Sequence, residues 1–181
     1  MLGSVARLRT DDPATLPAAD VPRALAVAGA ALLLYLATLQ PGFGGPEDTP
    51  KFQFLGHVLG TAHPPGYPLY VLLSHVFVKI PVGTIAYRAN LFSAVLAACG
   101  SALVYVIGRR MGAGWIPAAG AALGMAAGAS YWRSAVFAEV YSLAAVRPAR
   151  PLRCCSAGRR PVESAACSPP WRRLRSVLAT I

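Results

Sequence analysis

The sequence predicts an all-α integral membrane protein, and three observations carry that reading. Hydrophobic residues make up 55% of the 181 and charged residues 13%, about half the charged fraction of a soluble domain. Ala24 to Leu39 is an uncharged apolar run, and its extension over 21–40 reaches about the 20 residues needed to cross a hydrocarbon core. Two further apolar runs occupy 90–107 and 117–132. A chain of this length suits one small domain or three to five spans.

Residues 1–22 are polar and rich in Pro and Ala, with Arg7, Arg9, Asp11, Asp12 and Asp20. They show no helical period and read as a cytoplasmic lead-in. No short apolar core with a small-residue cleavage site precedes the first run, which therefore reads as an uncleaved anchor. Arg7, Arg9 and Arg23 on its amino side favour a cytoplasmic start. Pro41-Gly42 ends the run and opens an external loop to about Gly66.

Within that loop Asp48 or Thr49 can cap a helix that has Pro50 at its first position. Phe52, Leu55 and Leu59 recur at spacings of three and four, giving one apolar face, and Gly60 is a natural stop. The segment reads as a short amphipathic helix on the membrane surface. Pro64-Pro65-Gly66-Tyr67-Pro68 cannot continue a helix and makes a stiff turn.

Residues 70–80 are apolar but few, and they carry His75 and Lys79 one turn apart before Pro81 and Gly83. They read as a juxtamembrane helix, with a short span running on to Tyr87 as the alternative. In the first arrangement Asp48, His63, Arg88, Arg133 and Glu139 all face outside; in the second, Glu139 lies on the opposite face from Asp48. Counts of Lys and Arg slightly prefer the second. The first is preferred because Lys79, Pro81 and Gly83 would otherwise sit deep in lipid. The run 117–132 carries Gly120, Gly124 and Gly128, a small-residue stripe that permits close helix packing or follows from an Ala/Gly-rich composition alone. Residues 23–146 thus form the membrane domain.

The net charge of +10 is unevenly placed. Residues 147–181 hold eight Arg and one Glu, together with three of the four cysteines, Cys154, Cys155 and Cys167. This Arg/Pro/Cys tail reads either as a solvated basic segment or as the product of a slipped reading frame, the favoured alternative. Cys99 lies in an apolar run and reads as a packing residue. The cysteines show no metal spacing and no disulfide framework. With no phosphate-cradling glycine loop and no nucleic-acid stripe, neither a metal, a cofactor nor a nucleic-acid partner is expected.

The polar chemistry concentrates beside the membrane. The patterns D-T-x-K-F and L-G-x-A-H-P-P-G-Y-P-L-Y are followed by R-x-N-L-F-S-A and Y-W-R-S-A-V-F-A-E-V-Y-S-L. Together they resemble a widespread family of multi-pass membrane proteins, long of unknown function, that includes a eukaryotic transmembrane O-mannosyltransferase. The family is similar to the GT-C glycosyltransferases, which place an acid and then a Pro-Pro turn in the first external loop. The resemblance covers about Leu34 to Leu143 and implies GT-C-like amino-terminal transmembrane helices with a juxtamembrane external loop.

The resemblance further implies transfer of a sugar from a polyprenyl-phosphate donor to an acceptor hydroxyl, on protein or glycan, at the outer or lumenal face. A multi-pass protein of the bacterial cell membrane is expected. Asp48 matches the first-loop acid and would be the general base, because a neutral hydroxyl must lose its proton as it attacks. The bland reading of Asp48 is a helix cap worth about 1 kcal/mol. Many relatives carry Glu where this chain has Lys51, so an acid pair is not preserved, although Glu47 is adjacent.

His63 would hydrogen-bond acceptor or phosphate, or simply lock the turn, and Tyr67 belongs to the same pocket wall. Arg88, Arg133 and Lys51 are the cations that could stabilise a departing lipid phosphate, with interfacial anchoring as the plain alternative. Glu139 would face the same cavity. His57 reads as structural or solvent-exposed. Three or four spans are too few to enclose a lipid donor and an acceptor, so catalysis is expected to need a longer protein. The competing class is a non-enzymatic multi-pass transport or scaffold subunit.

Overall fold

The computed structural model describes residues 17–64 and 66–146. The expected lead-in over 1–16 and the basic tail over 147–181 lie outside the described residues. Seven helices follow in order: α1 (Asp20–Thr38), α2 (Thr49–Val58), α3 (Pro68–Phe77), α4 (Ile85–Arg110), α5 (Trp115–Ala127), α6 (Ala129–Val136) and α7 (Tyr141–Val146). No strand occurs among the described residues. α1 and α4 have the length and mean hydropathy, 1.6 and 2.1, to cross a membrane. At 1.5 Å per residue they are about 28 and 39 Å long.

α4 is the central helix and packs against every other one. Small residues allow this: Ala89, Ala94, Ala97 and Ala98 are buried along it. A side chain at Gly100 would collide with the Tyr131 hydroxyl. α1 crosses α4 and joins α5 through Tyr35, whose hydroxyl donates to the Ala126 carbonyl at 3.2 Å. Trp132 Nε1 donates to Thr38 Oγ1 at 2.9 Å, fixing α6 to the same end of α1.

At the opposite end lies a clamp that the sequence reading placed partly in a lead-in. Asp20 is not in a polar lead-in: it opens α1 and is fully buried. Its carboxylate accepts from Tyr105 Oη at 2.8 Å and Arg109 Nε at 2.9 Å. Arg23 joins at 3.2 Å and stacks over Trp115 at 5.2 Å. These bonds tie the start of α1 to the end of α4 and the start of α5, as the burial of a charge requires.

Three expectations are corrected. The run 117–132 is not one helix, because Gly128 turns extended (ψ 130°) and separates α5 from α6. The glycine stripe does not pack: Gly120 and Gly124 face open space, while Ala118, Ala122 and Ala126 form the buried stripe. Cys99 is exposed rather than packed. α3 has ten residues, about 15 Å and half a hydrocarbon core, and its His75 Nδ1 lies 2.8 Å from the Gly56 carbonyl of α2.

α2 lies against α3 and α4 through Phe52, which meets Tyr70 edge-on at 5.5 Å, while Tyr70 leans on Phe92 at 5.4 Å. Leu59, expected on the apolar face, is exposed and takes the left-handed C-cap conformation (φ 51°) expected of Gly60. Gly60 follows it closely, where a side chain would strike Leu55.

Asn90 joins these pieces. Its Oδ1 accepts from Gln53 Nε2 at 3.1 Å and from the Ala138 N–H at 2.9 Å, and its Nδ2 donates to the Gln40 carbonyl at 2.8 Å. Gln53 in turn brackets the Gly44 peptide, accepting from its N–H at 2.9 Å and donating to its carbonyl at 3.0 Å. Both side chains are buried, where stranded polar groups cost about 1–3 kcal/mol each. Asn90→Ala is therefore expected to destabilise the fold by about 3 kcal/mol. Denaturant unfolding in detergent micelles measures this, and an unchanged midpoint would contradict it.

Candidate functional site

The end of the bundle that carries α2 gathers most of the polar residues singled out from the sequence. Asp48 immediately precedes α2, but its carboxylate makes no cap hydrogen bond. It turns outward, with its side chain 45% exposed, and accepts from Lys51 Nζ at 2.9 Å. Lys51 Nζ also reaches His63 Nδ1 at 3.1 Å. An ammonium can only donate, so Nδ1 accepts and the ring proton sits on Nε2, 3.6 Å from Asp48 Oδ2. Asp48, Lys51 and His63 thus close a triangle. The Lys51 hydrogen bond holds the Asp48 carboxyl below its ordinary value.

Tyr67 sets where His63 stands. It takes a left-handed backbone (φ 45°) and places its ring edge-on to both Phe52, at 5.8 Å, and His63, at 5.9 Å. Pro65 of the same turn lies outside the described residues.

Glu47 also has a left-handed backbone (φ 54°), an uncommon conformation whose strain tends to collect at functional sites. Its carboxylate meets Arg133 at 3.4 Å. The preceding Gly45 (φ 142°) packs so closely that a Cβ would come within 2.8 Å of Thr49 and 2.9 Å of Phe137. The loop is pressed between α2 and the α6–α7 junction.

Glu139 sits at that junction and is 9% exposed. Its Oε1 accepts from the buried Thr49 hydroxyl at 3.1 Å. Ser93 holds its backbone, accepting from the Glu139 N–H at 3.1 Å, and Tyr70 Oη lies 3.3 Å from the same hydroxyl. Asp48 and Glu139 therefore belong to one end of the bundle, opposite the Asp20–Arg109 clamp. Glu47, Arg133, Ser134, Phe137, Glu139 and Tyr141 line a cavity of about 210 Å³ between them. That is smaller than the roughly 300–1,000 Å³ of a complete ligand pocket.

Arg88 stands apart. Its guanidinium is occupied by three backbone carbonyls, of Val82, Val78 and Gly83, each at 2.9 Å. It braces the α3–α4 turn. No group of three His, Cys, Asp or Glu side chains with metal-binding geometry occurs among the described residues.

Gln53, Thr49, Asn90 and Ser93 carry the site's scaffold; of these the sequence singled out only Thr49, as a candidate helix cap. Asn90 and Ser93 were visible within R-x-N-L-F-S-A as polar residues entering an apolar run.

The family model described as the Protein O-mannosyl-transferase TMEM260 N-terminal domain matches residues 48–149, a span that begins at Asp48 and includes the triangle and the cavity lining other than Pro46 and Glu47. The chain belongs to this family. It is similar to the Protein O-mannosyl-transferase TMEM260 of Mus musculus, with 35% identity over 123 residues, 66% of this chain and 17% of the relative. It is also similar to the Protein O-mannosyl-transferase tmem260 of Dictyostelium discoideum, with 31% identity over 77 residues, 41% of this chain and 9% of the relative. The chain thus spans only a small fraction of the length of these relatives. No solved structure matches.

Burial pushes the Glu139 carboxyl above its ordinary value, against the Thr49 hydroxyl, which pulls it down. The folded chain keeps this proton to higher pH than the unfolded chain does. Stability therefore falls as pH rises between the ordinary value and the raised one. Asp48 acts in the opposite sense, losing its contribution as pH falls through its depressed value. Glu139→Gln is expected to flatten the fall in melting temperature across the Glu139 window, measured by thermal unfolding at a series of pH values. An unchanged slope would show that this proton does not titrate with folding.

Proposed function

We propose that this chain is the amino-terminal part of a GT-C-like membrane glycosyltransferase, with residues 23–146 forming its first membrane segment. The enzyme transfers a sugar from a polyprenyl-phosphate donor to an acceptor hydroxyl at the outer or lumenal face. Support comes from membership in a family whose relatives are named protein O-mannosyl-transferases. It comes equally from two helices of spanning length that leave the polar triangle at one end. Both relatives are eukaryotic and lend no support to the expected bacterial cell membrane.

One observation carries the assignment of roles. The Asp48 carboxylate is exposed, free of capping duty and kept ionised by Lys51. As the acceptor oxygen attacks the anomeric carbon, Asp48 takes its proton. The bond from that carbon to the phosphate oxygen breaks, and its electron pair leaves with the polyprenyl phosphate. Lys51, which donates to Asp48, and His63 beside it supply the hydrogen bonds that the growing phosphate charge needs. Tyr67 keeps His63 in place, and Glu47, Arg133 and Glu139 hold substrate at the adjoining cavity. Arg88 spends three of its five guanidinium N–H groups on the α3–α4 turn and is assigned that turn instead.

In the full-length protein Asp48→Asn is expected to cut sugar transfer about a hundred- to ten-thousand-fold. Membrane insertion and the KM for the donor should stay unchanged. A transfer rate equal to that of the parent would remove Asp48 as the base.

A further inference from the structure

The cavity beside the triangle has a composition that selects its occupant. Its floor is Glu139, nine-tenths buried, with Oε1 bonded to Thr49 and Oε2 without a hydrogen-bond partner among the described residues. Its mouth is crossed by the Glu47–Arg133 pair at 3.4 Å. The Ser130, Ser134 and Tyr141 side chains add hydroxyls, and Phe137 adds an apolar wall.

Arg133 is the one cation among these lining side chains, against two carboxylates. A phosphate needs surplus positive charge around it, and this cavity supplies none whether or not Glu139 carries its proton. A neutral polyol needs the reverse: acceptors for its hydroxyl protons, donors for its oxygens and a flat apolar surface for its ring. Glu139 offers a hydrogen bond to a hydroxyl in either protonation state.

We infer that this cavity is a subsite for a neutral pyranose and that the phosphate of the lipid lies outside it, on the Lys51 side. The inference rests on the glycosyltransferase reading and adds that Arg133 binds sugar hydroxyls, not phosphate. A volume of about 210 Å³ leaves no room for the lipid as well. The pyranose could come from the donor or from a glycan acceptor, and the chemistry of the lining is the same for both.

Binding to the full-length protein separates these cases without turnover, so the outcome does not depend on Asp48. The probes are a polyprenyl-phosphate mannose, the same polyprenyl phosphate without sugar, and a free mannose oligosaccharide, each titrated calorimetrically in detergent. Glu139→Ala is expected to weaken the mannose-bearing lipid about tenfold and the sugar-free lipid less than about twofold. Tyr141→Ala, at a side chain 64% exposed on the cavity rim, should shift binding in the same direction and serves if the buried substitution disturbs folding. Loss confined to the oligosaccharide would also support the subsite and assign it to the acceptor. Equal weakening of both lipids would place the phosphate in the cavity and overturn the inference. Unchanged binding of all three probes would overturn it as well.

Discussion

The structure depends on one buried amide. Asn90 stands near the start of the longest helix, where α4 leaves the polar end of the bundle, and each face of its side chain holds a different part of the chain. The carbonyl end holds α2, through Gln53, and the α6–α7 junction, through Ala138. The amino end holds the segment leaving α1. Neither the Ala138 N–H nor the Gln40 carbonyl has a helical partner of its own, so without Asn90 both would lose this hydrogen bond. One residue thereby sets how Asp48, at the head of α2, stands relative to Glu139, one residue beyond Ala138. Ser93, one turn further along α4, repeats the arrangement on the Glu139 peptide. A site built from distant parts of the sequence is positioned by two polar residues on one rigid helix, the kind of support that precise chemistry needs.

The two ends of the bundle use charge differently. At the Asp20 end a fully buried carboxylate is matched by two arginines that reach in from the surface, closing α1, α4 and the start of α5 together. At the Asp48 end they are partly exposed and adaptable: Asp48 and Lys51 are each nearly half exposed, and the Glu47–Arg133 pair is more so. Exposed pairs of this kind contribute little to stability, so their arrangement leaves them available to a ligand. The left-handed backbones at Glu47 and Tyr67 fall at this end as well.

Periodicity and length were sufficient for the apolar elements. An apolar run of about 20 residues, with Arg23 its one charge, becomes a helix of nearly those bounds in α1, and 90–107 becomes the core of α4. Composition could not show that 117–132 breaks, because an Ala/Gly run is apolar whether or not Gly128 continues the helix. Nor could it tell which small residues face a neighbour: Gly120 and Ala122 are both small, and only packing against α1 and α4 buries the second. The candidate site residues were legible because acids, a lysine and a histidine stand out beside a membrane run. Their partners were not, since a Gln, an Asn and two hydroxyls acquire roles only when residues some 37 to 90 positions apart meet. Asp20 was misread for the same reason, its partners lying 85 and 89 residues away.

The acid-bearing head of α2 and the Glu139 junction stand together at one end of the bundle. Proximity in the full-length protein in its native membrane tests this most directly. With all native cysteines replaced, Thr49→Cys and Glu139→Cys would be introduced together and treated with a short thiol-specific cross-linker. A control would pair Thr49→Cys with Arg110→Cys at the opposite end of α4. The account predicts an intramolecular cross-link in the first pair and none in the second. A first pair that stays unlinked while both cysteines react with single-ended reagent would contradict it.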